Sequence, residues 1–241
     1  MREKRIVTAA LTGAIHTPSM SPHLPVTPEE LIEQAVQAYE AGAAVAHVHV
    51  RNPETGLPCA DQELFRTFAA GVKSRCDMII CCTTGGRLGE PVENRVRVVT
   101  SLSPELATLN AGSLNFALFH IADNYRDWKQ DWEKNYLQAT EDFIFPNTFL
   151  TMRQFLERFA PQGTKPEFEI YDAGMINNLA FLIEKGHVKK PVYLQFVMGI
   201  LGGIPATIEN FVFLLESARK AIGDFQFSVC AAGRTQFNLC T

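Results

Sequence analysis

Seven times along this chain a short apolar or β-branched run gives way to a helical stretch or a helix start, and this alternation limits the fold most. The runs cover residues 6–11, 44–51, 78–82, 106–109, 167–172, 192–198 and 225–232. The clearest helix start is Thr27-Pro28-Glu29-Glu30, with Thr as N-cap, Pro at the first helical position and Glu at the third. Strands that alternate with helices build a parallel sheet, whose natural closure here is an eight-stranded (β/α)8 TIM barrel. A doubly wound sheet would gather its ligand groups near one switch point, and its Gly-rich fingerprint is missing. The expected architecture is therefore a single TIM-barrel domain over residues 1–241 with seven strands. Its eighth strand and flanking helices are expected to be missing, so the chain reads as C-terminally incomplete. An open barrel would leave the first and seventh strands as unpaired edges. Between about 120 and 161 Trp128, Trp132, Tyr136, Phe143, Phe145 and Phe149 are spread through polar sequence. This predicts an inserted helical and aromatic excursion, with a helix over 151–160, which suits a subunit interface better than a lid.

Composition removes several classes of function. With 46% hydrophobic and 20% charged residues, the chain of 241 is globular in character. A net charge of −4 argues against general nucleic-acid binding. No run approaches the ~18 apolar residues of a membrane helix. The six cysteines form no CxxC pair and suit reduced, mostly buried thiols of a cytoplasmic protein.

The chemistry concentrates at the ends of the expected strands, the face that carries active sites in a barrel. In the 44–51 run, His47 and His49 stand two apart and share a face, with Arg51 on the same side. Ala46, Val48 and Val50 take the other face. Two imidazoles so placed suit a zinc ion, which in catalytic sites takes three protein ligands and keeps one position open. Hydrogen-bonded core histidines account for the spacing equally well. Thr83-Thr84-Gly85-Gly86 ends the third strand with small residues whose amides and hydroxyls suit an anion. Thr12-Gly13, Asn110, Glu169, Gly199 and Arg234 end other strands. Glu169 is the acid/base candidate, with a structural pairing to Arg51 or Arg234 as the competing use. Arg87, Arg95 and Arg97 are expected on a solvated helix face, with ligand phosphates as the competing use.

These residues resemble the β-keto acid cleavage enzyme family, of which the 3-keto-5-aminohexanoate cleavage enzyme is the best-known member. The resemblance rests on Leu11-Thr12-Gly13-Ala14, His47-Val48-His49-Val50-Arg51, Thr83-Thr84-Gly85-Gly86, residues 104–109, residues 165–175 and residues 232–236. It implies an oligomeric (β/α)8 barrel, a dimer or tetramer. It also implies zinc-dependent carbon–carbon cleavage of a β-keto acid with acetyl-CoA, giving acetoacetate and an acyl-CoA. His47 and His49 match two zinc ligands. Thr83, Gly85, Gly86, Thr108 and Asn110 match keto-acid contacts, Glu169 matches an acid/base residue, and Arg51 completes the catalytic set. Ile15 stands where the aminohexanoate enzyme has a glutamate, which points to a keto acid without a nearby ammonium. The family's third zinc ligand, a glutamate, and a neighbouring Arg and Asp are expected beyond Thr241. Two other readings compete. One is a metal-free barrel lyase that holds a phosphate on the Thr-Gly-Gly loop and has no use for the histidine pair. The other is a catalytically incomplete fragment.

Overall fold

The computed structural model describes residues 5–86, 89–233 and 236–239. Arg87 and Arg234, singled out above, lie outside the described residues. The chain runs β1 (Thr8–Ala10), α1 (Pro28–Glu40), β2 (Val45–Val48), α2 (Gln62–Lys73), β3 (Ile79–Cys82), α3 (Val92–Leu102) and β4 (Leu106–Asn110). Next come β5 (Leu114–Asn115), α4 (Trp132–Gln138), β6 (Ile144–Phe145), α5 (Phe149–Gln162) and β7 (Lys165–Ile170). The remainder is α6 (Ala173–Glu184), β8 (Tyr193–Met198), α7 (Ile208–Ile222), β9 (Gln226–Ala231) and the short α8 (Gln236–Leu239). Seven strands form one sheet in the order β1-β2-β3-β4-β7-β8-β9. The pairs β1–β2, β2–β3, β3–β4, β7–β8 and β8–β9 all run parallel. Strands taken in chain order and joined through helices define the (β/α) barrel class, with seven barrel strands among the described residues.

The chain packs as two compact units. The first runs to Ala107 and includes Tyr125–Asn135 and Phe159–Lys165. The second holds Thr108–Asn124, Tyr136–Arg158 and the chain from Pro166 on. In the first, Ala46, Val48 and Val50 are buried, as are Leu31 of α1 and Phe65, Phe68 and Val72 of α2. The two helices approach closely at Gly71, where a Cβ would fall 2.3 Å from Ile32 Cδ1. In the second, Phe168, Ile170, Leu194, Phe196 and Met198 of the sheet are buried, as are Leu179 of α6 and Leu214 of α7. The 120–161 stretch holds two short 3₁₀ turns, α4 and α5, and β6 pairs antiparallel with β5. Two-residue strands give no periodicity to read, so sequence reasoning missed that pair. Among the described residues no helix is long and apolar enough to cross a membrane.

The helix start at Thr27 forms as its residue types dictate. The Glu30 amide donates to Thr27 Oγ1 at 3.2 Å, and the Glu30 carboxylate accepts from the amides of Thr27 at 3.0 Å and Val26 at 2.8 Å. Those donations from Thr27 and Val26 hold the Glu30 carboxyl below its ordinary 4.5. A depressed carboxyl pKa means stability that is fully present above the ordinary value and lost as pH falls through the folded-state value. Thr27→Ala is expected to cost about 1 kcal/mol, read as a lower denaturant midpoint. Glu30→Gln is expected to flatten the loss of stability below pH 4.5, which titration of the melting temperature checks.

Candidate functional site

In the first unit the site is built at the end of β2. The parallel ladder sets Ala10 opposite His47 and His47 opposite Cys81. β2 closes at Val48, and Arg51 makes an antiparallel bridge to Pro58 in the following loop. The Thr12 hydroxyl clamps the next residue, donating to the His49 carbonyl at 2.6 Å and accepting from the His49 amide at 3.2 Å. The two imidazoles stand edge to face, centroids 5.1 Å apart at 66°. His47 Nδ1 is buried with no hydrogen-bond partner among the described residues. Burial pulls the His47 pKa down to about 4. It pulls His49 well below its usual value too, with His47, Arg51 and His16 adding in that order. Both rings are therefore neutral near pH 7, the state in which an imidazole offers a lone pair to a metal ion.

The fit to zinc can be tested on these atoms. An orphaned buried nitrogen is costly in a finished core, and an imidazole without a partner is what a ligand site needs. Two neutral, adjacent rings match two of the three protein donors of a catalytic zinc. Among the described residues no group of three or more His, Cys, Asp or Glu side chains could hold a metal.

Arg51 is almost fully buried. Its Nη1 donates to the Gly56 carbonyl at 2.8 Å and its Nη2 to the Gly13 carbonyl. The guanidinium thus braces the loop after β1 and the loop after β2 together. The Thr-Gly-Gly loop sits at the end of β3. Thr83 donates its amide to Val48 O at 3.2 Å, and its hydroxyl accepts from the Gly85 amide at 2.9 Å. Gly86 has a φ of +66°, and a Cβ there would come within 3.0 Å of Glu90 Cβ and Cγ. Only glycine accepts that backbone and that approach. Arg95 corrects the expectation of a solvated face: it is buried, and its Nε donates to Thr84 O at 2.7 Å. Arg97 is exposed as expected. Ile15 is half-buried in the loop that starts at Thr12.

The second unit carries a separate group of the expected residues. Thr108 and Asn110 of β4 are buried, and the Asn110 amide lies within hydrogen-bonding reach of the Tyr171 phenol. The Ala111 amide donates to the Glu169 carbonyl at 3.0 Å, which fixes the ends of β4 and β7 to each other. Glu169 is half-buried, and Glu167 on the same face of β7 is fully buried and accepts from Gln195 Nε2 at 3.4 Å. Burial, then the Glu169 carboxylate, then Cys230, push the Tyr171 phenol well above its usual range. The alternation of the 167–172 run puts Tyr171 on the same face as Glu167 and Glu169.

A family model described as beta-keto acid cleavage enzyme matches residues 4–241. The chain is 40% identical over 241 residues to the 3,5-dioxohexanoate:acetyl-CoA acetone transferase of Paraburkholderia graminis, covering 100% of this chain and 78% of that protein. It is 37% identical over 236 residues to the 3-keto-5-aminohexanoate cleavage enzyme of Acetoanaerobium sticklandii, covering 98% and 76%. Among solved structures, an apo structure of ObcA superposes with a TM-score of 0.66 at 18% identity, over 91% of this chain and 53% of that one. That likeness speaks to the fold. The chain is an α/β-barrel protein, and it belongs to the beta-keto acid cleavage enzyme family.

Replacing Arg51 by Met abandons the Gly13 and Gly56 carbonyls, at about 1–3 kcal/mol for each one left buried without a donor. The expected outcome is a lower melting temperature, with Arg51→Lys, which keeps the charge but not the two-nitrogen fork, falling between Met and wild type.

Proposed function

We propose that this protein cleaves a β-keto acid against acetyl-CoA, yielding acetoacetate and a new acyl-CoA, with one zinc ion held by His47 and His49. The observation that carries the reading is the histidine pair: two adjacent imidazoles, kept neutral by burial, one with an orphaned nitrogen. Zinc there would supply Lewis acidity toward the keto oxygen and stabilise enolate-like charge. The relatives' names support the co-substrate and the keto acid: one is an acetyl-CoA acetone transferase and another a 3-keto-5-aminohexanoate cleavage enzyme.

The chain's own residues then divide the work. Thr83 and Gly86 orient the substrate carboxylate through the Thr83 hydroxyl and the Gly86 amide, with the Gly85 amide holding that hydroxyl in place and Arg95 holding the loop from behind through Thr84 O. Thr108 and Asn110 contribute further polar contacts to the keto acid. Glu169 moves the proton. Arg51 holds the two loops around the histidines and adds positive charge there. Ile15 packs against an uncharged part of the substrate, which disfavours an amino-substituted keto acid. The protein works in the cytoplasm as a homo-oligomer, a dimer or tetramer, and five described cysteines are free thiols.

Metal analysis of dialysed protein tests the centre of this reading. About one zinc per chain is expected in the wild type, and His47→Ala/His49→Ala is expected to lose it together with acetyl-CoA-dependent cleavage of a panel of β-keto acids. Undiminished activity in the double variant would overturn the metal reading.

A further inference from the structure

The segment 129–133 grips both of the loops that Arg51 braces. Glu133 is fully buried. Its carboxylate accepts from the Ser19 amide at 2.9 Å, the Ser19 hydroxyl at 3.0 Å and the Gln130 amide at 2.8 Å. The Ser19 hydroxyl oxygen in turn accepts from the Lys129 amide at 2.7 Å. One residue before Glu133, Trp132 donates its indole N–H to the Thr55 carbonyl at 3.0 Å. Ser19 lies in the loop that leaves β1, and Thr55 in the loop that leaves β2.

Each loop is therefore held at two points. The β1 loop is tied at its base through Thr12 to His49 and through Gly13 to Arg51, and further along through Ser19 to Glu133. The β2 loop is tied at Gly56 to Arg51 and at Thr55 to Trp132. The loops also meet, since a Cβ on Gly56 would lie 2.7 Å from Pro18 Cγ. Ile15 and His16 sit between the two anchors of the first loop, and His16 is near enough to bear on His49. A carboxylate withdrawn from water is costly unless its oxygens are well satisfied. Three donors satisfy this one, and two of them come from a single residue of the β1 loop.

We infer that Glu133 and Trp132 are positioning residues that set the stance of the 12–20 loop, and with it the reach of Ile15 toward the keto acid. The identity of the substrate rests on the cleavage-enzyme reading above; the pinning of the loop does not. Neither residue touches a reacting group. Glu133 reaches the loops through Ser19 and Trp132 through Thr55. The aromatic and polar excursion thus acts on selectivity from outside the reacting groups.

Glu133→Gln tests this, because an amide has one acceptor oxygen and its NH2 must face a backbone N–H of Ser19 or Gln130. Hydrogen exchange over residues 12–20 is expected to quicken about tenfold. With a β-keto acid and acetyl-CoA, the KM for the keto acid is expected to rise about tenfold while kcat changes less than about threefold. Bound metal and the KM for acetyl-CoA stay as in the wild type, a split that a general loss of stability would not produce. Trp132→Phe keeps the ring, drops the N–H, and is expected to move the same quantities the same way by less. It also carries the test should Glu133→Gln not fold. Unchanged exchange and unchanged keto-acid KM in the folded variants would overturn the inference. A wild type that turns over no β-keto acid would overturn the cleavage reading instead, and exchange over 12–20 alone would then decide the pinning.

Discussion

The first unit depends on the β2 ladder. β1 and β3 both register on β2, so its side chains have two addresses. Ala46, Val48 and Val50 go to the core against helices, and the alternate positions bring His47 and His49 to the opposite face. Period-two alternation makes this arrangement unforgiving, because a one-residue slip would exchange the two faces. A strand that must bury one face for stability thereby gathers its polar side chains on the other. The same logic places Thr83 one strand over, where its amide donates to Val48 O.

Keeping polar groups in that environment requires partners, and the structure supplies them chiefly from loops. Arg51, Arg95 and Glu133 are all buried, and each bonds to loop main chain. Charge-assisted bonds to main-chain atoms are strong and direction-specific. They convert long, otherwise mobile connections into fixed walls around the strand ends. One exception is informative: His47 Nδ1 stays without a partner among the described residues. Unsatisfied buried polar atoms are rare in finished cores and are a common mark of sites that receive a ligand.

Much of this was legible in the residues themselves. The alternation of strands and helices, the Thr27 capping box, the histidine pair and the Thr-Gly-Gly turn are local patterns, each set by geometry within a few residues. Element ends shifted by one to three residues because a strand lasts only as long as its neighbour does. The 44–51 run, for example, is laddered only through Val45–Val48. Arg95 was misplaced because a charge in a helix reads as solvated unless the acceptor is known, and Thr84 O is eleven residues away. The 120–161 excursion was visible as a break in pattern, but not its hold on Ser19, more than a hundred residues earlier.

By itself, then, the sequence determined what is decided over short range: which runs become strands, which become helices, and which side chains share a face. Periodicity and capping act within a turn or a pleat, so they need no knowledge of the rest of the chain. Only the tertiary structure decided which buried charges brace which loops, and therefore what walls the histidines. Those hydrogen bonds join residues distant in the chain, and their partners are main-chain atoms, which carry no signature in the sequence.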